Sequence, residues 1–146
     1  MSPFTLKAGR RTSSRTCHAP REEVFSYVTC PEHLRHFWGA PGLHTPIERM
    51  AVDPRPGGIF DIVAVDNAGG NRYLTRATFA DVVAPEKLTW IERPTGVTTV
   101  LLLEELTCWE TMVRIAQLKL GRLRRDSEGG DPKGLLDRLV AYAGNQ

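Results

Sequence analysis

The chain reads as an α+β fold in which an antiparallel sheet is followed by one long amphipathic helix. Three features point there. Between His44 and Leu120 the sequence breaks into strand-length segments rich in Val, Ile, Thr and aromatic residues, separated by short gaps of turn-forming residues. Ahead of that run, Pro20 and Pro31 each open a short stretch with apolar residues at helical spacing. At the end, GLLDRLVAYAG (134–144) carries its apolar residues on one broad helical stripe. Strands followed by such a helix place the helix across one face of the sheet.

Each element has its own signal. A first strand falls within Phe4 to Ala19, with RTSSRTCHA (11–19) as its candidate core. Pro20 suits the first helical position, whose N–H has no intrahelical partner to lose. Glu22 and Glu23 then place negative charge in the first turn, where the helix dipole favours it. Val24, Tyr27 and Val28 form the buried stripe, with Phe25 on its flank. Pro31 repeats the device, and Leu34, Phe37 and Trp38 repeat the stripe. Both helices are short enough to depend on packing.

Strands are expected at 44–53, 58–65, 72–83, 87–93, 97–106 and 111–120. The turns between them lie at Pro56-Gly57-Gly58, Asn67 to Gly70, Ala84-Pro85 and Pro94-Thr95-Gly96, with positive φ expected at Gly57 and Gly58. Gaps this short permit hairpins and forbid helical crossovers, so the sheet is antiparallel, with six or seven strands once the first is counted. Residues 121–131, within GRLRRDSEGGDPKG, read as a mobile solvent loop. Asp131 and Pro132 then supply an N-cap and a first-turn proline. Leu135, Leu136, Leu139, Val140 and Ala143 make the last helix's stripe.

Composition bounds the function classes. A chain of 146 residues is one domain, 1–146, and buries about 68–70% of its unfolded surface. Its 41% apolar and 25% charged content is that of an ordinary globule, and no apolar run approaches the ~20 residues of a membrane span. Cys17, Cys30 and Cys108 are scattered and odd in number, which implies free thiols and a cytoplasmic location. A net charge of +2 is too small to imply an acidic partner. Lys7, Arg10, Arg11, Arg15 and Arg21 all precede the first acid, Glu22. An acid-free basic N-terminus is also what a transit peptide looks like, but the fold needs a strand there. No aromatics interleave with these cations as stacking surfaces, so no nucleic-acid partner is expected. Residues 1–11 are expected to be flexible.

Four stretches together carry a resemblance: APREEVFSYVTCPEHLRHFW (19–38), VDPRPGG (52–58), VVAPEKLTW (82–90) and the closing GLLDRLVAYAG. Over roughly residues 12 to 144 the chain resembles the Hsp90-ATPase-activator-homologue branch of the START-like (SRPBCC) superfamily, which also holds polyketide cyclases and birch-pollen-allergen-like proteins. The resemblance implies a helix-grip fold: a curved antiparallel sheet wrapped around the C-terminal helix, with a hydrophobic cavity between them. It also implies an aromatic pair beside the cavity mouth, matched here by Phe37 and Trp38. The match fails in three places. Relatives carry Gly-Trp at the start of the last helix, whereas Gly134 is followed by Leu135. Their last hairpin is glycine-rich, whereas this one reads Leu106-Thr107-Cys108-Trp109-Glu110. Val100 and Leu102 fall on the face opposite Leu101 and Leu103, where relatives carry polar residues; with Trp109 they suggest an apolar outer patch and a homodimer.

Strand alternation names the inward residues that a cavity would use. Thr99, Leu101 and Leu103 form one set, and Val113, Ile115 and Gln117 another. Leu88, Trp90 and Glu92 form a third, and Tyr73, Thr75, Ala77 and Phe79 a fourth. From the last helix, Leu136, Leu139 and Val140 join them. These sets suit an apolar ligand and suit a plain core equally well. Glu92 and Gln117 are the polar exceptions; Glu92 is the one carboxylate placed to act as an acid or base, if it does not simply reach water beside Arg93 and Pro94. His33 and His36 stand three apart on the second helix, but no third ligand converges on them, so no metal or other cofactor is expected and two exposed histidines are the simpler reading. No Ser/His/Asp order or phosphate-binding glycine loop is present.

The leading expectation is therefore a protein that binds a small apolar or aromatic ligand between sheet and last helix, since the sequence assembles no catalytic group; enzyme status stays open. The alternative is a polyketide cyclase/aromatase-like or hydrolase-like enzyme using the same cavity with Glu92. An Hsp90-type co-chaperone is a further alternative that the resemblance invites, although the eukaryotic activators carry an additional N-terminal domain for which 146 residues leave no room.

Overall fold

In the computed structural model, residues 11–118 and 132–146 are described, without the side chains of Arg11 and Pro132. Strand β1 (Arg11–Cys17) leads into helices α1 (Arg21–Thr29) and α2 (Pro31–Phe37). Then follow β2 (Leu43–His44), β3 (Ala51–Val52), β4 (Ile59–Asp66), β5 (Arg72–Val83), β6 (Lys87–Glu92), β7 (Thr98–Thr107) and β8 (Glu110–Leu118). Helix α3 (Pro132–Gly144) closes the chain. The strands form one antiparallel sheet of eight in the order β1-β8-β7-β6-β5-β4-β2, with β3 also paired to β4. This is the expected α+β helix-grip arrangement. The expected flexible start (apart from Arg11), the 121–131 loop and the Asp131 cap lie outside the described residues.

Two local expectations need correction. The single strand expected over 44–53 is two fragments, β2 and β3, separated by a 3₁₀ turn at Ile47–Arg49. Pro46 stands at the start of that turn with φ near −60°, and its ring both fixes φ and removes a ladder donor, so the strand breaks there. Both fragments still pair with β4. Pro20 precedes the first helical residue rather than occupying that position, and its carbonyl accepts from the N–H groups of Glu23 and Val24 at 3.0 Å each. Pro31 does occupy the first turn of α2.

The glycine pair serves two different needs. Gly57 has φ +84°, as expected, but Gly58 does not adopt positive φ. Gly58 is required for space instead: a Cβ there would stand 2.0 Å from the carbonyl oxygen of Asp53. Gly57 N–H donates to Phe79 O, and Phe79 N–H donates to Gly58 O, each at 2.8 Å, so this turn is sewn onto the middle of β5.

The core lies on the inner face of the sheet. There, Phe60 and Ile62 of β4 meet Phe79, Leu88, Leu101, Val113 and Ile115 from successive strands. Helix α3 packs mainly against β1, with β8 and α2 beside it, and contributes Leu136, Leu139 and Ala143 to this core. Helix α1 buries Val24, Tyr27 and Val28 against α2, β7 and β8. On the outer face, Arg93 ties three strands together by donating to Asp61 Oδ1 (2.7 Å), Ala77 O (2.6 Å) and Thr78 Oγ1 (3.3 Å). Leu139→Ala is expected to cost about 2–5 kcal/mol, the range for a large side chain lost from a packed core, read from urea denaturation midpoints. A cost under about 1 kcal/mol would show that Leu139 borders open space rather than packed atoms.

Candidate functional site

The register determines which side chains meet on the inner face. Phe79 pairs with Trp90, Trp90 with Thr99, and Thr99 with Gln117, so one row of facing residues crosses β5 to β8. The neighbouring row brings Phe60, Ala77 and Glu92 together. A third aligns Val82, Leu88, Leu101 and Ile115. Leu103 and Val113 face each other in a fourth.

An aromatic cluster occupies the middle of this face. The rings of Phe60 and Phe79 stack at 4.9 Å between centroids, and Trp90 meets Phe60 edge-on at 5.0 Å. Trp38 completes the group from outside the sheet, 5.2 Å from Phe60 and 6.2 Å from Trp90. Such edge-on and offset contacts favour a fixed mutual orientation. Trp38 is half-buried, while Phe60, Phe79 and Trp90 are buried.

Trp38 is held there by α3. It follows the last residue of α2, where the final carbonyls of the helix have no intrahelical donor. Arg138 fills that need: its Nε donates to Phe37 O at 2.8 Å and its Nη2 to Trp38 O at 3.0 Å. A cation at a helix C-terminus is also favoured by the helix dipole. Phe37 and Trp38 do not act as a pair. Successive helical residues point about 100° apart, so Phe37 turns away toward Tyr142 of α3 (5.4 Å) while Trp38 turns toward the sheet.

Polar groups interrupt the apolar face at Thr111, whose hydroxyl donates to Ala19 O at 2.8 Å, and around the row of Thr99 and Gln117. Thr99 and Gln117 are buried directly opposite each other, and neither Thr99 Oγ1 nor Gln117 Oε1 has a hydrogen-bond partner. Glu92 lies two residues beyond Trp90 on β6 and is half-buried, with no ion pair or side-chain hydrogen bond among the described residues. Burial pushes its carboxyl above the ordinary value of 4.5.

The remaining expected residues are distributed as follows. Leu101, Leu103, Val113, Ile115, Leu136 and Leu139 are all buried in the core, with Val140 half-buried against it. Tyr73 shares the inner face by register but is 53% exposed near the start of β5. His33 is not an exposed histidine: it is half-buried, and its Nδ1 shares a 2.6 Å hydrogen bond with the hydroxyl of Tyr142. His36 is exposed but stacks on the same tyrosine. Among the described residues, no group of three or more His, Cys, Asp or Glu side chains gathers. Cys17 is buried, which pushes its thiol up to about 11 and makes it a poor nucleophile. The outer patch shrinks as well. Val100 does lie opposite Leu101's face but is only 6% exposed, and Leu102 is half-buried; Trp109, 74% exposed at the hairpin tip, stands apart from them. No helix among the described residues is long and apolar enough to cross a membrane.

Alternation places Thr99 on the inner face without setting it apart from its apolar neighbours, and the sequence pattern names neither Phe60 nor Arg138 for the site. Phe60 sits in a plain alternating strand, and Thr99 is as common in exposed strands as in buried ones. Arg138 looks like any solvent-facing cation until α2's end is placed beneath it.

The family model for "Activator of Hsp90 ATPase homolog 1-like protein" matches residues 18–144. The chain belongs to that family. Among solved structures, a protein from Nitrosomonas europaea is 20% identical, with 93% of this chain and 94% of that one covered and a TM-score of 0.79. One from Rhodobacter sphaeroides is 18% identical, with 93% and 90% covered and a TM-score of 0.79. An AHSA1-like protein from Aeromonas hydrophila is 19% identical, with 92% and 93% covered and a TM-score of 0.74. At these identities the likeness establishes a shared fold. Among curated proteins, none matches. This AHSA1-like chain therefore shares its architecture with its relatives, and what it does must be argued from its own side chains.

Glu92 gives this family member a testable pH dependence. Its folded pKa is raised, so between the ordinary value and the raised one the native state binds more protons than the unfolded chain. Stability from this group is thus complete below about pH 4.5 and falls as pH rises through the folded pKa. Glu92→Gln is expected to raise the urea midpoint over wild type at pH 8 and to leave it nearly unchanged at pH 4. An equal effect at both pH values would mean that the carboxyl is solvated as a strand-end residue.

Proposed function

We propose that this protein binds a small apolar or aromatic molecule on the inner face of its sheet, between the sheet and the C-terminal helix. The observation that carries this reading is the aromatic cluster of four rings, in which Phe60 and Trp90 meet Trp38, brought in by α2, and Phe79 stacks on Phe60. Ligand sites are mainly apolar with a few polar groups that fix orientation, and the sparse polar set of Thr99, Gln117 and Glu92 fits that composition. Trp38 is the ring best placed to touch a ligand, because it alone of the four is half-buried and comes from a helix end rather than from the sheet.

A second reading, acid–base catalysis by a cyclase-like or hydrolase-like enzyme on the same face, is favoured by the raised carboxyl of Glu92. It separates from simple binding through Glu92→Gln: an enzyme loses turnover and keeps ligand affinity, whereas a carrier has no turnover to lose. The co-chaperone reading rests on the family being that of activator-of-Hsp90-ATPase homologues. Failure to retain an Hsp90-type chaperone in a pull-down would remove it.

The binding reading is tested with a neutral fluorescent probe, N-phenyl-1-naphthylamine, titrated into wild type and Trp38→Ala. Wild type is expected to bind it, and the variant to bind roughly tenfold more weakly, the scale of a lost anchoring aromatic. Unchanged affinity in a folded variant would leave Trp38 as core packing. No binding to wild type would remove the reading.

A further inference from the structure

The aromatic cluster accounts for the body of a ligand; the polar row beside it bears on what the ligand carries. We propose that Thr99 and Gln117 together form a head-group site that receives a neutral hydroxyl attached to an aromatic body. This rests on the binding reading above and names its ligand class.

Three observations meet here. Thr99 and Gln117 are directly opposite each other on β7 and β8, so their Cβ atoms stand roughly 4.5–5.5 Å apart. They are 1% and 6% exposed, and the oxygens Thr99 Oγ1 and Gln117 Oε1 lack partners. The same row continues through Trp90 and Phe79, so a group held by the pair lies next to the aromatic cluster. Burial of such oxygens without partners is unfavourable, and the large majority of buried side-chain polar atoms avoid it. Two of them facing one another, while the buried Thr111 hydroxyl on the same face does have a partner in Ala19 O, is the feature to be explained.

The chemistry of the two oxygens selects the group. Gln117 Oε1 is an acceptor only and requires a donor. The Thr99 hydroxyl can donate as well as accept. One hydroxyl satisfies both, donating to Gln117 Oε1 while accepting from the Thr99 O–H. An ether offers only an acceptor and leaves Gln117 unsatisfied. A hydrocarbon satisfies neither. A carboxylate brings its own lone pairs against Gln117 Oε1 and approaches Glu92, the diagonal neighbour of Thr99 across β6 and β7.

Four matched probes test this: 4-ethylphenol, 4-ethylanisole, 4-ethyltoluene and 4-ethylbenzoate, titrated by calorimetry and by NMR. Wild type is expected to bind 4-ethylphenol about tenfold more tightly than the ether or the hydrocarbon, one well-made hydrogen bond's worth of discrimination. The side-chain amide resonances of Gln117 are expected to shift with the phenol and to stay in place with the hydrocarbon. In the near-isosteric Thr99→Val/Gln117→Leu double variant the preference should disappear while 4-ethyltoluene still binds. Equal binding of phenol and hydrocarbon by wild type would overturn the head-group site and leave the apolar binding face standing. So would a preference that survives in the double variant. Preferred binding of 4-ethylbenzoate would replace the hydroxyl site with an anion site. If none of the four binds, the head-group site and the binding reading fall together. The wild-type amide shifts decide the matter even if the double variant fails to fold.

Discussion

The register of strands β5 to β8 is the constraint from which the site follows. Side chains alternate across a strand with a period of two, so a slip of one residue would send Thr99 and Gln117 to the outer face and bring Thr98 and Leu118 inward. The apolar alternation of Leu101, Leu103, Val113 and Ile115 forbids that slip, because it would carry four core side chains out with them. Turns and crossbonds fix the same register locally. Gly96 takes φ +75° in the β6–β7 turn, and the paired bonds between Phe79 and the Gly57-Gly58 turn anchor β5 where its ladder shifts, between Phe79 and Asp81. Core packing and the placement of polar groups are therefore one decision, made by one pattern.

Helix α3 contributes to the site largely through α2. Its Leu136 and Leu139 are ordinary core residues, but Arg138 between them reaches the carbonyls of Phe37 and Trp38. Because Arg138 stands one position before Leu139 and two after Leu136, burial of the leucines sets where its guanidinium can go. Tyr142, one turn further along, meets Phe37, Tyr27, His33 and His36. The three helices thus form a frame in which Trp38 is directed at the sheet while its neighbour Phe37 is used to hold the frame together.

Much of this was legible in the sequence, and the exceptions share a cause. Strand alternation named Trp90, Leu101, Ile115 and Gln117 for the inner face because period two is a local property of the backbone. Two short helices followed from Pro20 and Pro31 because a proline's fixed φ acts locally too. What the pattern could not reveal was long-range. The Pro46 break inside an otherwise strand-like segment depended on which ladder bond the ring would remove. The divergence of Phe37 from Trp38 depended on where Tyr142 came to rest, and His33 was misjudged as exposed for the same reason. Alternation put Thr99 on the inner face, but only the register with Gln117 makes it one half of a pair.

Unpartnered buried atoms do not by themselves mark a site. Thr89 Oγ1 on the outer face and Arg21 Nε are also without partners, and each stands singly. What distinguishes the inner face is coincidence. Two orphaned oxygens and a carboxyl disfavoured by its surroundings fall within two adjacent rows of one sheet, and the half-buried Trp38 at the end of α2 packs on both rows through Trp90 and Phe60. A core shaped by stability alone would place Val and Leu at 99 and 117, because each such oxygen costs about 1–3 kcal/mol when left unmet. Local conflict of this kind, concentrated beside a cluster of four aromatic rings, is where sequences give up stability for function. That the conflict is polar and paired, rather than a lone buried charge, is what directs the reading toward recognition of a hydroxyl and away from a site built around an ion.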